Sequence, residues 1–292
     1  MKGKLELHPK RARKVGSTLL EEVKKGGIFG HRELPDDMVK SIADEVDTET
    51  LLLIVTLTTS LDYMRNANEL WENSLKTLKD DETKWLFDPH KVAEKGDDEL
   101  LKALSKHGLA KKKKRDLLIW KTISKTLSEK YSGSVKKLFE EYEFKVDRMF
   151  TDFLKNRKGE FPSLSGTKLF PHWIRSLKEK VVLPFKGVEN LPIPVDVHVA
   201  RATFTTGCIT GKYKSKGVNE TIKKKVIEVW RKGLEGTEIL PVDMFRPLWL
   251  LSKYGCHYRQ DGKRPKLKEC PVKNYCVSGK VIVTSNRVEI ET

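Results

Sequence analysis

From residue 45 to about 180 the chain never alternates apolar and polar residues long enough to make a strand; its apolar positions recur at spacings of three and four. That period belongs to helices packed by one face, so the stretch reads as a bundle of short helices. LLLIVTLTTSLDYMRNANELWENSL (51–75) pairs an apolar segment with an amphipathic one, and Asp62 at their junction is expected to cap the second. A short helix should end near Gly108, and a longer one, from about Lys112, sets Trp120, Ile123, Leu127 and Tyr131 along one face. Segments 136–156 and 168–180 carry the same spacing, and no internal repeat is present. PFKGVENLPIP (184–194) should be an extended loop leading to a helix at Asp196. The tail KVIVTSNRVEIET alternates around Ser285 and Asn286, as a small hairpin would.

Length and composition allow such a bundle. A chain of 292 residues with six Trp and eleven Phe can bury a sizeable core without a disulfide scaffold. Lys and Arg number 57 against 41 Asp and Glu, and the net charge of +16 favours an anionic partner, because neutralised phosphates release counterions. The same Lys- and Glu-rich surface also suits a thermophile, where charge serves stability. The N-terminus MKGKLELHPKRARKVG lacks the apolar core of a signal peptide, and LLLIVTL is too short to cross a bilayer. A cytoplasmic, nucleoid-associated monomer with no membrane contact is the expectation. Cysteines stand at 208, 256, 270 and 276, and in a reducing compartment a clustered set suggests metal before disulfide.

The most specific string is IPVDVHVARAT (193–203), in which Pro194 and Val195 precede Asp196 at a helix start. It resembles the catalytic-aspartate segment of the helix-hairpin-helix DNA glycosylases, which include endonuclease III and the 8-oxoguanine glycosylases. Two further stretches resemble that superfamily in the same order. LIVTLTTSLDYMRNANELW is similar to the entry of its helical barrel, which places Thr59, Ser60 and Leu61 near the DNA minor groove. HGLAKKKKRDLLIWKTISKTL is similar to the Gly-Leu turn and long helix before the hairpin, with Lys111 and Lys112 at a basic helix start that either holds phosphates or is a solvated face. The resemblance runs over about residues 50–276.

The hairpin departs from the pattern. FPSLSGTKLF keeps Gly166, Thr167 and Lys168 but has Leu164 or Ser165 where another glycine is expected, which weakens a backbone phosphate nest. Lys168 lies 28 residues before Asp196, further than the usual interval, and the extra length falls in LPFKGVENLPIP. A long link there resembles the archaeal 8-oxoguanine glycosylase branch. Lys178 is the rival nucleophile by interval.

By this resemblance the chain is an enzyme that removes a damaged base, 8-oxoguanine by branch, from double-stranded DNA. Asp196 would stabilise the cationic sugar as the extruded base departs, and Lys168 would attack C1′ and cleave the strand through a Schiff base, giving a bifunctional glycosylase and abasic-site lyase. His198 would touch a phosphate or sugar of the flipped nucleotide, or serve as a capping or core histidine. The alternatives are a monofunctional glycosylase with Asp196 activating water, and a non-enzymatic DNA-structure-binding protein. Cys270 and Cys276 match the last gap of an iron–sulfur loop, PLWLLSKYGC resembles its lead-in to Cys256, and Leu267 stands where a ligand is missing. A [4Fe-4S] cluster on Cys208, Cys256, Cys270 and Cys276 is the expectation, with zinc on three thiols and His257, or a disulfide, as alternatives. The expected fold is all-α and two-lobed: a barrel lobe over 45–180 ending in the hairpin, and a second lobe from 1–44 with 181–292 carrying Asp196 and the Cys loop.

Overall fold

The computed structural model describes residues 3–29, 32–256 and 268–292. They open with strand β1 (Leu5–Leu7) and helices α1 (Pro9–Lys24), α2 (Thr48–Ser60), α3 (Ala67–Lys79), α4 (Pro89–Glu94) and α5 (Asp97–Lys106). Helices α6 (Lys113–Tyr131), α7 (Val135–Glu141), α8 (Val146–Lys155), α9 (Leu169–Lys180) and α10 (Val197–Thr205) follow. Strand β2 (Ile209–Ser215), helices α11 (Glu220–Leu234) and α12 (Phe245–Leu250), and strands β3 (Lys280–Val283) and β4 (Val288–Glu291) complete the chain. The protein is mostly helical, in line with the helical expectation, with one small antiparallel sheet.

Two compact units divide it, one of residues 35–191 and one of residues 1–34 with 192–292. The helical unit begins at Pro35 rather than residue 45 because a 3-10 segment, Pro35–Ile42, buries Val39 and Ile42 and ties Asp36 to α9. It continues past residue 180 because Lys186 pairs with the α7–α8 turn through Val146 N–H and its own N–H to Phe144. Asn190 then donates to Asp147 at 2.8 Å.

Inside this unit, α2 is buried over Leu51–Ser60 and is capped by Asp47, which accepts from Thr50 N–H at 2.9 Å. Asn66, not Asp62, caps α3, by accepting from Asn68 N–H at 3.0 Å. The cap falls four positions later than the apolar pattern suggested, so the turn between the helices is longer and the Asp62 carboxylate is left for other use. Gly108 adopts φ +76° just past α5, the left-handed geometry that glycine takes at no steric cost. An aromatic core locks the hairpin segment in place. Phe153 stacks on Phe161 at 4.8 Å and meets Phe170 at 5.1 Å, while Trp173 lies 5.2 Å from Phe139 and donates to Thr56 at 3.0 Å. Phe161 and Phe170 flank Lys168, so packing on both sides sets the start of α9.

In the other unit the tail hairpin is β3 with β4, and it joins a sheet of order β1-β2-β4-β3 in which Leu5 pairs with Gly211 and Tyr213 with Ile290. The helices α1, α10, α11 and α12 cover a shared core that includes Leu19, Phe204, Trp230, Leu248 and Ile290. Trp230 donates to Thr203 at 2.9 Å, which satisfies its buried N–H. α12 runs on into a π-helical turn, Leu251–Cys256, that sets Ser252 and Cys256 on the side of α10.

Candidate active site

Asp196 is the N-cap of α10, with extended backbone (φ −114°, ψ −171°). Its Oδ1 accepts from the backbone N–H groups of both His198 and Val199 at 2.8 Å. Among the described residues nothing donates to Oδ2, so one oxygen anchors the carboxylate and the other is presented. The fold makes this local: an extended Pro194–Val195 entry followed at once by helix leaves two N–H groups that only a short acceptor side chain reaches. Arg201 lies one turn further along α10, nearly buried, and donates to the Val283 carbonyl at 3.0 Å and to Ser252 at 3.0 Å. Burial lowers its pKa, while the charge of Asp196 opposes that shift. His198 places Nδ1 3.2 Å from Ser252 and its ring 4.9 Å from that of Trp249. Trp249 and Ser252 stood out in the sequence only as part of the lead-in to Cys256; their meeting with α10 comes from the packing of α12 and the π-helical turn against it.

Lys168 occupies the first position before α9, half-buried, and its ammonium lies 3.5 Å from Asp62 Oδ2. Lys178 is exposed on the last turn of the same helix. Gly166 has ordinary backbone and accepts from Phe170 N–H at 3.1 Å, and Thr167 is exposed beside it. The hairpin therefore makes a compact turn without the left-handed glycine of the usual pattern. Ser163 (φ +69°) supplies the left-handed residue instead, and Arg115 reaches it at 3.3 Å.

Thr59, Ser60 and Leu61 are buried at the end of α2, and Ser60 spends its hydroxyl on the Leu57 carbonyl at 2.6 Å. They cannot offer side chains to a groove from there. The exposed residues of this turn are Tyr63 (47%) and Met64 (69%), and Met64 holds φ +51°. Lys112 lies 5.1 Å and Arg115 4.4 Å from the Tyr63 ring, cation–π contacts that keep the aromatic upright among positive charge. Lys111 is exposed next to them, 3.9 Å from Glu69. A Tyr-Met pair directly after a buried apolar helix was the available signal for this surface.

Along α9 a second charged group follows Lys168. Asp36 Oδ2 accepts from Arg175 at 2.6 Å, Ser176 at 2.8 Å and Lys180 at 2.6 Å, and Arg175 also meets Glu179 at 2.7 Å. Burial alone would raise the Asp36 carboxyl, yet Arg175 and Lys180 hold it well below its usual value. Asp36, Asp37 and Glu179 are the only three ligand-type groups gathered within 4.8 Å among the described residues, and the two cations already sit among them. His172, one turn after Lys168, is buried and pushed down to about 4, first by desolvation and then by Arg175.

The four cysteines fall at separate places in the unit of residues 1–34 with 192–292. Cys208 is fully buried, its Sγ 3.3 Å from Thr206 Oγ1, and burial pushes its thiol up to about 12. Thr205 donates to Cys256 at 3.5 Å, and Cys270 and Cys276 are half-buried further along. No three of the four thiols come within 4.8 Å of one another, as a single zinc ion would require. Leu267 and His257 lie outside the described residues. No described helix is long and apolar enough to cross a membrane.

The sequence model of the AGOG family, described as N-glycosylase/DNA lyase, matches residues 23–284. No curated protein matches the chain.

Proposed function

Since this chain belongs to the AGOG family of N-glycosylase/DNA lyases, the archaeal 8-oxoguanine glycosylase branch of the helix-hairpin-helix superfamily, we propose that it excises 8-oxoguanine from duplex DNA and then cleaves the strand. Base excision from DNA is the family's activity; the lesion, the coupled lyase step and the residue roles are our reading. The observation that carries it is the Asp196 carboxylate, with one oxygen tied down by two backbone amides and the other presented.

A glycosidic bond inside a base stack is out of reach, so the nucleotide must leave the stack before it can react. As the C1′–N bond breaks, its electron pair leaves with the base and positive charge spreads over C1′ and the ring oxygen. A carboxylate already oriented by its own helix stabilises that charge without reorganising, an effect on the order of 3 kcal/mol for comparable preorganised groups. The Lys168 amine, after losing a proton, gives its lone pair to C1′. The C1′–O4′ bond then breaks, its electron pair going to O4′, which takes a proton from water, and the Schiff base remains at C1′. Removal of a C2′ proton then expels the 3′ phosphate with the C3′–O electron pair, which leaves a nicked strand.

Tyr63 and Met64 stand on Lys111, Lys112 and Arg115 as an apolar projection within a cationic surface, the combination that enters a minor groove while holding phosphates. The test is borohydride trapping on a duplex carrying 8-oxoguanine, beside duplexes carrying uracil or an abasic site. We expect a covalent adduct with the oxidised base that is lost in Lys168→Gln and kept in Lys178→Gln. Base release without any adduct would remove the lyase reading, and no release from 8-oxoguanine would remove the substrate.

A further inference from the structure

Asp62 has been given no part in the fold. It was expected to cap α3, but Asn66 does so, and Asp62 uses only its backbone N–H locally, to the Thr59 carbonyl at 3.0 Å. Its side chain is mostly buried, with 14% exposure, in a turn where every neighbouring position is exposed or committed. A buried carboxylate without a local task calls for a partner of opposite charge.

That partner comes from 106 residues away in sequence. Lys168 Nζ lies 3.5 Å from Asp62 Oδ2 and donates to the Asp62 backbone carbonyl at 3.4 Å. One residue thus meets the amine at two points, with its carboxylate and with its carbonyl. The contact matters because a lysine side chain has four rotatable bonds, which a fixed partner restrains. The opposing influence is the helix: Lys168 stands at the start of the 12-residue α9, whose positive end repels an ammonium. Arg65 and His172, on different elements, also lie within the field of Asp62, behind Asp116 for Arg65 and behind Asp36 for His172.

We infer that Asp62 is the positioning residue of the Lys168 amine: it holds Nζ at a set place on the hairpin until the amine attacks a sugar carbon. The inference rests on Lys168 being the nucleophile. It also gives the α2–α3 turn a double task, since Tyr63 and Met64, which project outward, follow directly on the residue that holds the amine.

The experiment uses the full chain and a duplex with a preformed abasic site, under single-turnover borohydride trapping, for the wild type, Asp62→Asn, Asp62→Glu, Lys168→Gln and the Asp62→Asn/Lys168→Gln double variant. Duplex Kd, Tm and the rate of base release from a lesion duplex are measured on each. We expect Asp62→Asn to trap roughly ten- to a hundredfold more slowly, the loss that goes with an ångström of misplacement, with Kd and Tm near wild type. Asp62→Glu, which keeps the charge on a longer arm, should recover part of the rate. In the Lys168→Gln background, adding Asp62→Asn should leave the residual base release unchanged, because a residue that acts through the amine has nothing left to act on. Trapping by Asp62→Asn at the wild-type rate overturns the inference, as does an equal loss of residual base release in the double variant. Full trapping by Lys168→Gln would instead remove the nucleophile reading on which it rests.

Discussion

The Asp196 carboxylate and the Val199 backbone amide are joined at 2.8 Å, and this bond shares its oxygen with the one from His198. Anchoring and chemistry are thereby divided between two oxygens of one side chain. Asparagine keeps an acceptor for the cap but has no charge, so the two functions can be separated.

For Asp196→Asn we expect base release to fall by about a hundredfold or more, with Tm within a few degrees of wild type. Asp196→Ala should lose the cap as well, about 1 kcal/mol of stability, and melt measurably earlier. Single-turnover base release and thermal melts, run side by side, check both. Equal activity in wild type and Asp196→Asn would deny the carboxylate its role.

At the α2–α3 turn, Tyr63→Ala and Met64→Ala should each weaken binding to lesion duplex by roughly tenfold, the scale of losing one side chain that stacks on a base. Lys112→Ala and Arg115→Ala should act differently. Each should lower the slope of log K against log salt by about one, uniformly across sequences, as for a lost phosphate contact. A fluorescence-anisotropy titration over several salt concentrations separates the two behaviours.

His172 links pH to stability. Its pKa drops from an ordinary 6.5 to about 4 on folding, so between those values the unfolded chain binds a proton that the folded chain refuses. Stability should therefore be complete above pH 6.5 and decline as pH falls toward 4, by on the order of 3 kcal/mol if this group acted alone. Asp36 adds to the decline only at lower pH, where its depressed carboxyl takes up a proton and releases Arg175 and Lys180. Denaturant melts of the wild type and His172→Asn across pH 4–7 should converge in slope only if the histidine is not responsible.

The thiols give a fourth expectation. Cys208 is fully buried in the core with its Sγ packed on Thr206, so protein prepared without oxygen is expected to carry no iron and to show no absorption band near 400 nm. Cys208→Ser should disturb packing through a buried hydroxyl without altering metal content. An iron assay giving about four atoms per chain would reverse this and require the four thiols to gather.

What could be read from the chain before folding was whatever depends on residues within a few positions of one another. Helix spacing from 45 to 180, the stop at Gly108, the tail hairpin and the cap at Asp196 are all of that kind, because their hydrogen bonds close within four residues or across one tight turn. The family resemblance followed for the same reason: its motifs are short strings with a local conformation. Tertiary packing alone decided the remainder. That Thr59, Ser60 and Leu61 turn inward while Tyr63 and Met64 face out depends on where α2 ends within a core built from α3, α7 and α9. That Asp62 meets Lys168 instead of capping α3 depends on the aromatic packing that sets the start of α9. That β1 joins a sheet with β2, some two hundred residues away, could not be seen in either strand. Local spacing encodes which face of an element is apolar; which charged group then comes to rest beside which is settled only when those faces are buried together.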